Sequence, residues 1–328
     1  MNTKLKHSLA AKKFNKSLIA FTIIGGLFYG TSATAAPFAL TNGSGDGQLS
    51  VGVDGYGAFG SSLGGDSSNA IYNPIGSINA SGTSYQSFLA IRFGNSGNRT
   101  PLSTGFGSLA NPSVTGTPLS GSSTFSSGGL NFSLNQNLVT LNQGTQLNQV
   151  YTISNPATAG AANFEIVRYL DGDLAFDNSI VDGGGRLILN GIELLFETDS
   201  ATGSATSTTF VGITAEGGTI PATGRYEVDS YSGLRTRVLN GTALDGIITG
   251  DGVDIDQFID AGNGYDVTLA LLNTFTLGAG ESVVYTTSTI FGSGAPQEAG
   301  DGAVPEPATL ALMGLGLAGL RYRRKAAA

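Results

Sequence analysis

Two short stretches of the chain concentrate carboxylates at spacings that suit a hard metal ion. Their six aspartates are Asp171, Asp173 and Asp177 in the first stretch and Asp251, Asp254 and Asp256 in the second. Oxygen ligands in glycine-containing turns are what Ca²⁺ binds, because each ligand replaces part of the hydration shell that the ion loses. The pattern therefore makes both stretches candidate calcium sites.

Neither stretch matches the EF-hand loop, which alternates acidic or amide residues and then needs a glycine and a distal glutamate. The segment 262–266, GNGYD, is similar to one calcium-binding β-roll repeat, but a single copy builds no roll. Solvated loop acids that keep a domain soluble are the alternative interpretation. Calcium and simple solvation therefore both stay open, and no other cofactor is predicted.

The chain lacks the side chains that most catalytic sites use. It has no cysteine, and His7 is its single histidine. Its six lysines are Lys4, Lys6, Lys12, Lys13, Lys16 and Lys325. Between those ends, Ser-His-Asp and Cys-His machinery, Schiff bases and ordinary zinc sites are excluded, so we predict no enzyme and no catalytic residue. The alternative is a carboxylate pair acting on polysaccharide, for which Asp171 and Asp254 are the candidates.

Tyrosines offer rings on which sugars could stack, although the chain has no tryptophan. The candidates are Tyr56, Tyr72, Tyr85, Tyr151, Tyr169, Tyr226 and Tyr231. Packing in a core or at a sheet edge is the default role of such residues. A carbohydrate-binding platform is the second interpretation.

Between residues 36 and 304 the chain is strongly acidic. This region has seven arginines and 23 acidic residues, a net charge of −16, whereas the whole chain has a net charge of −8. An acidic surface without lysine disfavours nucleic acid and anionic lipid as partners. Because cysteine is absent, the fold must depend on its core instead of disulfides.

Residues 1–35 have the pattern of a secretory signal peptide. Five lysines precede a short apolar segment at 18–29, and the small residues Ala33 and Ala35 follow it. This arrangement predicts cleavage by a signal peptidase, with Ala36 as the first residue of the mature chain. The mature region is therefore expected to be exported.

Residues 304–328 combine three features in a fixed order. The extended element at the start is Val304, Pro305, Glu306 and Pro307, and the arginines near the end are Arg321, Arg323 and Arg324. The two prolines exclude a helix interior, and the basic end stays cytoplasmic by the positive-inside rule. A transmembrane helix is predicted at 308–322. Its 13 apolar residues, 308–320, span roughly 20 Å against a hydrocarbon core of about 30 Å, which favours a transient anchor.

This arrangement resembles the PEP-CTERM sorting signal of Gram-negative bacteria, which a membrane transpeptidase called exosortase handles. The resemblance rests on the Pro-Glu-Pro tripeptide, the apolar run and the arginines, and it covers about 25 of the 328 residues. It implies exosortase as a partner during export and a transient stay in the inner membrane. The implied destination is the cell surface, outer envelope or extracellular matrix, in association with exopolysaccharide. An ordinary membrane anchor is the alternative.

Short strand patterns separated by Pro, Gly, Asn and Asp fill residues 36–292. The predicted strands are 49–53, 85–93, 122–125, 130–134, 138–141, 149–154, 164–170, 186–190, 192–197, 208–213, 225–228, 267–275 and 282–291. No sustained 3.6-residue apolar stripe occurs there. The pattern predicts an all-β fold, an antiparallel β-sandwich of jelly-roll-like or supersandwich type, between the signal helix and the membrane helix.

Local sequence also predicts finer features. Short helices are expected at 234–239 and 253–259, and the LGAGES segment at 277–282 predicts a hairpin loop. Arg92 and Arg168 lie inside predicted strands, where each is expected to reach solvent or to pair with a loop acid.

The low-complexity segment 94–129 is interpreted as loops and short edge strands of one domain, with a linker between two domains as the alternative. The predicted organisation is a signal peptide (1–35), a β-sandwich domain (36–292), a flexible linker (293–303) and a sorting signal (304–328). It indicates an exported structural or interaction protein of the surface or matrix. A polysaccharide-binding or polysaccharide-acting protein and a calcium-dependent adhesin are the alternatives.

Overall fold

A computed structural model of the protein describes residues 37–76, 79–107, 109–203, 209–294 and 296. The predicted signal peptide, with Ala33, Ala35 and Ala36, lies outside these residues. So do the predicted sorting signal with its helix at 308–322 and most of the predicted linker. Within the described ranges, no helix is long and apolar enough to cross a membrane.

Strands dominate the described chain, and the helices are short. The strands are β1 (Phe38–Thr41), β2 (Leu49–Val53), β3 (Ala70–Tyr72), β4 (Ser81–Gly82), β5 (Ser84–Phe93), β6 (Thr100–Leu102), β7 (Thr115–Thr117), β8 (Ser120–Ser127), β9 (Leu130–Leu141), β10 (Gly144–Ser154), β11 (Ala162–Gly172), β12 (Gly183–Leu189), β13 (Ile192–Thr198), β14 (Thr209–Glu216), β15 (Tyr226–Ser230), β16 (Val267–Leu277) and β17 (Ser282–Ser293). The α-helices are α1 (Ser61–Gly64) and α2 (Tyr231–Leu239). The predicted all-β class is confirmed.

The strands form three antiparallel sheets. The largest has eight strands in the order β12-β13-β14-β17-β10-β9-β8-β7, and the second has five in the order β15-β16-β11-β5-β6. The third is a small sheet of β1-β2-β3-β4. The five-stranded and eight-stranded sheets pack face to face, which confirms the predicted antiparallel sandwich.

The core lies between these two sheets because alternate residues of each central strand are apolar. Ile166 and Leu271 of the five-stranded sheet share one cluster with Val211 and Ile213 of the eight-stranded sheet, and none of the four is exposed. Burial of each such side chain contributes about 1.5–3 kcal/mol relative to leaving it in water. The period-two pattern of the strands therefore sets which face packs inward.

A third layer covers the outer face of the five-stranded sheet. Leu234 and Val238 of α2 pack against Phe88, Val167 and Ala270, which point away from the sandwich core. Both faces of β5 and β11 are consequently buried, which explains why these strands read as nearly continuous apolar runs.

The β12–β13 connection is a tight hairpin. Asn190 and Gly191 form its turn with φ values of 52° and 82°. A two-residue turn with positive φ at both positions matches the twist of the paired strands, and Asn-Gly is its preferred sequence.

The predicted hairpin between the last two strands is wrong. β16 pairs with β15 and β11, whereas β17 pairs with β10 and β14 of the other sheet. The turn at 278–281 therefore carries the chain across the edge of the sandwich, held by a Gly278 N–H that donates to Glu281 Oε2 at 2.7 Å. The local sequence specifies a turn here, but the pairing partner depends on distant strands.

The predicted helix at 253–259 is also wrong. Ile255 and Gln257 have φ values of 48° and 76°, which a right-handed helix excludes, and Phe258 forms an isolated bridge with Gly185. The other predicted helix, at 234–239, exists as the C-terminal part of α2. Backbone hydrogen bonds hold the 251–260 segment as an irregular loop, such as the one from Ile259 N–H to the Gly184 carbonyl at 2.9 Å.

Arg168 does not reach solvent or a loop acid as predicted. Its side chain is 1% exposed and lies in the sandwich core, where Nη1 donates to the Tyr169 carbonyl and Nη2 to Thr289 Oγ1 at 2.8 Å. Thr289 belongs to β17, so this arginine links the two large sheets. Burial lowers the pKa of Arg168 to about 10, which still leaves it charged at neutral pH.

Arg92 pairs with an acid, but the acid lies on a strand and not on a loop. The register places Arg92 opposite Glu165, and Arg92 Nη2 lies 2.9 Å from Glu165 Oε2. Arg99 approaches the other oxygen of Glu165 at 2.6 Å and also donates to the Val238 carbonyl at the end of α2. One buried glutamate thereby joins two arginines and fastens α2 to the sheet.

The Glu165→Gln variant should unfold at lower urea concentration, with a loss of about 3 kcal/mol, because two arginines would lose their buried counter-charge. Urea denaturation of the full chain in mild detergent measures this change. The matched control is Glu216→Gln, since Glu216 is exposed at the end of β14, and it should change stability by less than about 0.5 kcal/mol. Equal losses in the two variants would contradict the assigned role of Glu165.

Candidate functional site

The structure does not bring the six predicted calcium ligands to one point. Asp171 lies next to the end of β11 and is 1% exposed, whereas Asp173 and Asp177 are exposed on the loop that follows. The other three aspartates lie on the irregular loop at 251–260. The two stretches therefore form separate acidic groups.

Asp251, Asp254 and Asp256 form the surface acidic loop. One carboxylate oxygen from each lies within 4.8 Å of the other two, and among the described residues no other acidic trio converges this closely. Asp254 and Asp256 are exposed, and Asp256 Oδ1 accepts a hydrogen bond from Phe258 N–H at 3.0 Å. These separations suit Ca²⁺, and equally three solvated acids, so both interpretations from the sequence persist.

Asp177 is committed to the backbone of its own loop. Its Oδ1 accepts from Ser179 N–H at 2.8 Å and its Oδ2 from Ala201 N–H at 2.6 Å. Asp199 behaves in the same way and accepts from Phe176 N–H at 3.1 Å. These two side chains therefore fix loop geometry.

A different set of acids lies inside the sandwich, and we call it the interior carboxylate cluster: Asp171, Asp182 and Glu197. Each is at most 2% exposed. Asp171 precedes a register shift at Gly172 in the pairing of β11 with β5, and such bulges re-aim side chains. Asp182 directly precedes β12, and Glu197 lies on the neighbouring strand β13. Four chain segments meet here, because the Asp182 backbone also bridges to Tyr265.

The interior carboxylate cluster has few hydrogen-bond donors. Asp171 Oδ2, Asp182 Oδ1 and both Glu197 oxygens have none within the described structure. The carboxyls of Asp182 and Glu197 lie in hydrogen-bonding range of each other, and Asp182 also accepts from the Ser200 backbone. Glu197 Oε2 lies so close to Gly172 that a Cβ at this position would come within 1.6 Å of it. Glycine at 172 therefore makes room for this carboxylate.

Burial controls the protonation of these groups. Loss of hydration, together with the charges of Asp266 and Asp173, raises the pKa of Asp171 to about 8. Burial likewise raises the pKa of Asp182 to about 8 and raises the pKa of Glu197 well above its ordinary range, with Asp182 as the next cause. Ionisation of all three neighbouring carboxyl groups is therefore unfavourable without a cation.

A cavity of about 240 Å³ opens from the buried Asp171. Asp173 and Asp266 lie at this cavity, and so do Tyr85 and Tyr231, whose ring centroids are 5.9 Å apart. Tyr85 is 40% exposed. The cavity therefore combines carboxylates with two accessible aromatic rings.

The other tyrosines proposed for sugar stacking are not accessible in this way. Tyr56, Tyr72, Tyr151 and Tyr169 are at most 5% exposed, as the default interpretation expected. Tyr226 is half-buried, with the Arg186 guanidinium 4.5 Å from its ring centre. Tyr85 and Tyr231 alone among the seven line the cavity.

Sequence reasoning missed the metal-ligating potential of Asp182 and Glu197. Glu197 lies in a predicted strand, where a lone glutamate among apolar residues indicates an outward-facing position. One signal was present: Glu197 falls in phase with the apolar Leu195 of the same strand, and both point to the buried face.

In EDTA, the melting temperature of the full chain should fall as the pH rises from about 4 to about 8. The pKa values of Asp171 and Asp182 are raised to about 8 in the folded state, against about 3.9 when unfolded. The folded state therefore binds more protons than the unfolded state across this window. The contribution of these protons to stability is complete below pH 4 and is lost as the protons dissociate at higher pH. Thermal melting at pH 4 to 9 measures the effect. A melting temperature that rises over this range would contradict it.

The comparisons with known proteins bear mainly on the C-terminus. Residues 303–325 match the family model of the PEP-CTERM protein-sorting motif. A comparison with curated protein sequences finds no significant match.

Two solved structures illustrate how limited the structural likeness is. A polysaccharide lyase aligns with a TM-score of 0.38 and 9% identity, over 68% of this chain and 30% of that chain. A putative kojibiose phosphorylase from human microbiome aligns with a TM-score of 0.30 and 9% identity, over 76% and 26%. The chain spans less than a third of the length of either protein. What is shown is that this chain carries a PEP-CTERM sorting motif, which implies export, membrane-associated sorting and processing by an exosortase.

Proposed function

We propose that this protein is an exported, non-enzymatic structural or interaction component of the cell surface or extracellular matrix, associated with exopolysaccharide. The observation that carries the proposal is the sorting motif at 303–325, which follows a β-sandwich ending at Ser293. An acidic, lysine-free region between residues 36 and 304 suits a surface protein that avoids nucleic acid and anionic lipid.

The proposed sequence of events begins with the signal peptide. Signal peptidase removes residues 1–35, and the sandwich folds outside the inner membrane. The helix at 308–322 then holds the chain in that membrane for a time. Pro305, Glu306 and Pro307 stay extended beside the helix, where an exosortase cleaves the chain. The arginine-rich end, with Arg321, Arg323 and Arg324, stays on the cytoplasmic side.

The intact mass of the protein recovered from the native cell surface tests this route. We expect a mature chain that begins at Ala36 and has lost the residues after the Pro-Glu-Pro element. A protein that still ends at Ala328 at the surface would contradict the sorting proposal.

Replacing Glu306 by Gln while keeping both prolines isolates the role of its charge. This variant should accumulate uncleaved in the membrane fraction, because the extended segment would lose its central carboxylate. The matched control is Glu281→Gln, which changes a glutamate in the sandwich turn at 278–281. Normal processing of the Glu306 variant would show that this carboxylate is not recognised.

A second candidate function is glycan binding at the cavity of Tyr85 and Tyr231. The observation that favours it is the pair of accessible rings beside the carboxylates of Asp171, Asp173 and Asp266. Tyrosine rings supply apolar faces for sugar rings, while carboxylates accept hydrogen bonds from sugar hydroxyl groups. A neutral glycan suits this acidic cavity better than an acidic one.

The Tyr231→Ala variant should weaken binding of a neutral glycan by about tenfold, because it removes one wall of the cavity. Titration of the full chain with neutral and acidic glycans, followed by calorimetry, measures the effect. Phe93→Ala is the matched control, since Phe93 is a partly exposed aromatic at the opposite end of β5 from Tyr85. Glycan turnover that Asp254→Asn abolishes would instead establish an enzyme.

A further inference from the structure

The interior carboxylate cluster is the one buried group in the described structure whose negative charge is left without compensation. We propose that it binds one divalent cation, of which Ca²⁺ fits best, with Asp182 and Glu197 as its direct carboxylate ligands and Asp171 as the neighbouring charge. This site lies inside the sandwich and is distinct from the surface acidic loop.

The buried acidic residues differ in the partners that compensate their charge. The buried acidic residues of the described chain are Asp54, Glu165, Asp171, Asp182, Glu197, Asp199 and Glu227. Arginines lie at 2.6–2.9 Å from Glu165 and Glu227. Asp54 accepts hydrogen bonds from backbone N–H groups and a threonine hydroxyl, and Asp199 accepts them from backbone N–H groups. The remaining three residues are the interior carboxylate cluster.

No arginine of the described chain forms an ion pair with this cluster. Of its six carboxylate oxygens, four have no donor in the described structure. Arg235 is the arginine whose charge reaches Asp171, but its Nε donates to Gln86 Oε1 at 2.8 Å and its guanidinium lies 5.5 Å from the centre of the Phe106 ring. A buried carboxylate without a partner is very unfavourable, so a positive charge must come from outside the chain or protons must neutralise the group.

The surroundings of the cluster offer space and oxygen ligands for a cation. The cavity that holds Asp171, Asp173 and Asp266 is also lined by Gly172, the residue against which Glu197 Oε2 lies. The acidic side chains of the cluster offer carboxylate oxygens, and hard oxygen donors in irregular geometry suit Ca²⁺ better than Zn²⁺ or Mg²⁺. Gly172 leaves the space that Glu197 occupies, and its register shift sets the direction of Asp171.

The three carboxylates of the cluster come from segments that belong to both large sheets. Asp171 lies next to the end of β11 in the five-stranded sheet, while Asp182 and Glu197 belong to the β12–β13 edge of the eight-stranded sheet. A cation held here would tie that edge to the opposite sheet. Binding should therefore stabilise the whole sandwich, since a ligand that binds only the folded state shifts the unfolding equilibrium.

The test uses the full chain in mild detergent at pH 7.5, freed of metal with EDTA and dialysed, with CaCl₂ as the probe. At a Ca²⁺ concentration about one hundred times the dissociation constant, the melting temperature should rise by about 5 °C. Calorimetric titration should give one strong site for the interior cluster. MgCl₂ at the same concentration should give a smaller rise.

The Glu197→Gln variant separates this proposal from its alternatives. It should weaken Ca²⁺ binding at the strong site by at least about tenfold and remove the melting shift. In EDTA the same variant should melt at a higher temperature than the unaltered protein, because it removes one uncompensated charge. Asp182→Asn, the second variant, should show the same two effects. Asp254→Asn, the matched control in the surface acidic loop, should keep the full shift.

Two results would overturn the proposal. A Ca²⁺ response that survives in Glu197→Gln and disappears in Asp254→Asn would place the ion on the surface acidic loop. No Ca²⁺ response in the unaltered protein would show that protons alone neutralise the interior carboxylates.

Discussion

Each charge buried inside this sandwich needs an opposite charge or hydrogen-bond partners, and this constraint organises the inner layers. With no lysine between residues 36 and 304, arginine alone supplies cations there. Arg225 shows the consequence: its Nε lies 2.6 Å from Glu193 Oε2 on one sheet, and its Nη1 donates to the Leu272 carbonyl on the other. Arg168 makes the corresponding link through Thr289. The buried arginines thus determine how the two sheets are held together.

The same constraint explains why the outer layer is attached where it is. α2 is short and only weakly amphipathic, so its apolar contacts through Leu234 and Val238 are few. Arg99 adds a charged donor to the carbonyl of Val238 at the helix end, where a positive charge is favourable, and the same arginine is neutralised by Glu165. A single glutamate therefore supports the layer that covers one side of the five-stranded sheet.

The sequence was sufficient for the fold class and for most strands, because period-two alternation and turn residues are local signals. β2 was predicted at its observed bounds, and β5 and β14 to within a few residues. The sheet to which each strand belongs was not predictable. The sequence of the turn at 278–281 is compatible both with β16 and β17 pairing and with their lying in different sheets. The burial of Arg168 and of Glu197 was not predictable for a related reason, since a charged residue in a strand indicates a solvent-facing position unless the opposite sheet is known. Of the interior carboxylate cluster, only Asp171 was among the predicted ligands.

The C-terminal motif and the interior carboxylate cluster together bear on where the sandwich is most stable. A chain that buries three uncompensated carboxylates is destabilised in surroundings poor in divalent cations and stabilised where they are abundant. If the cluster binds Ca²⁺ as proposed, the free energy of folding gains RT ln(1 + [Ca²⁺]/Kd) only after the chain reaches such surroundings. Export would then strengthen the fold, since the motif implies a route out of the cytoplasm. The sorting signal would then bring the domain to the surroundings in which the carboxylates stabilise it.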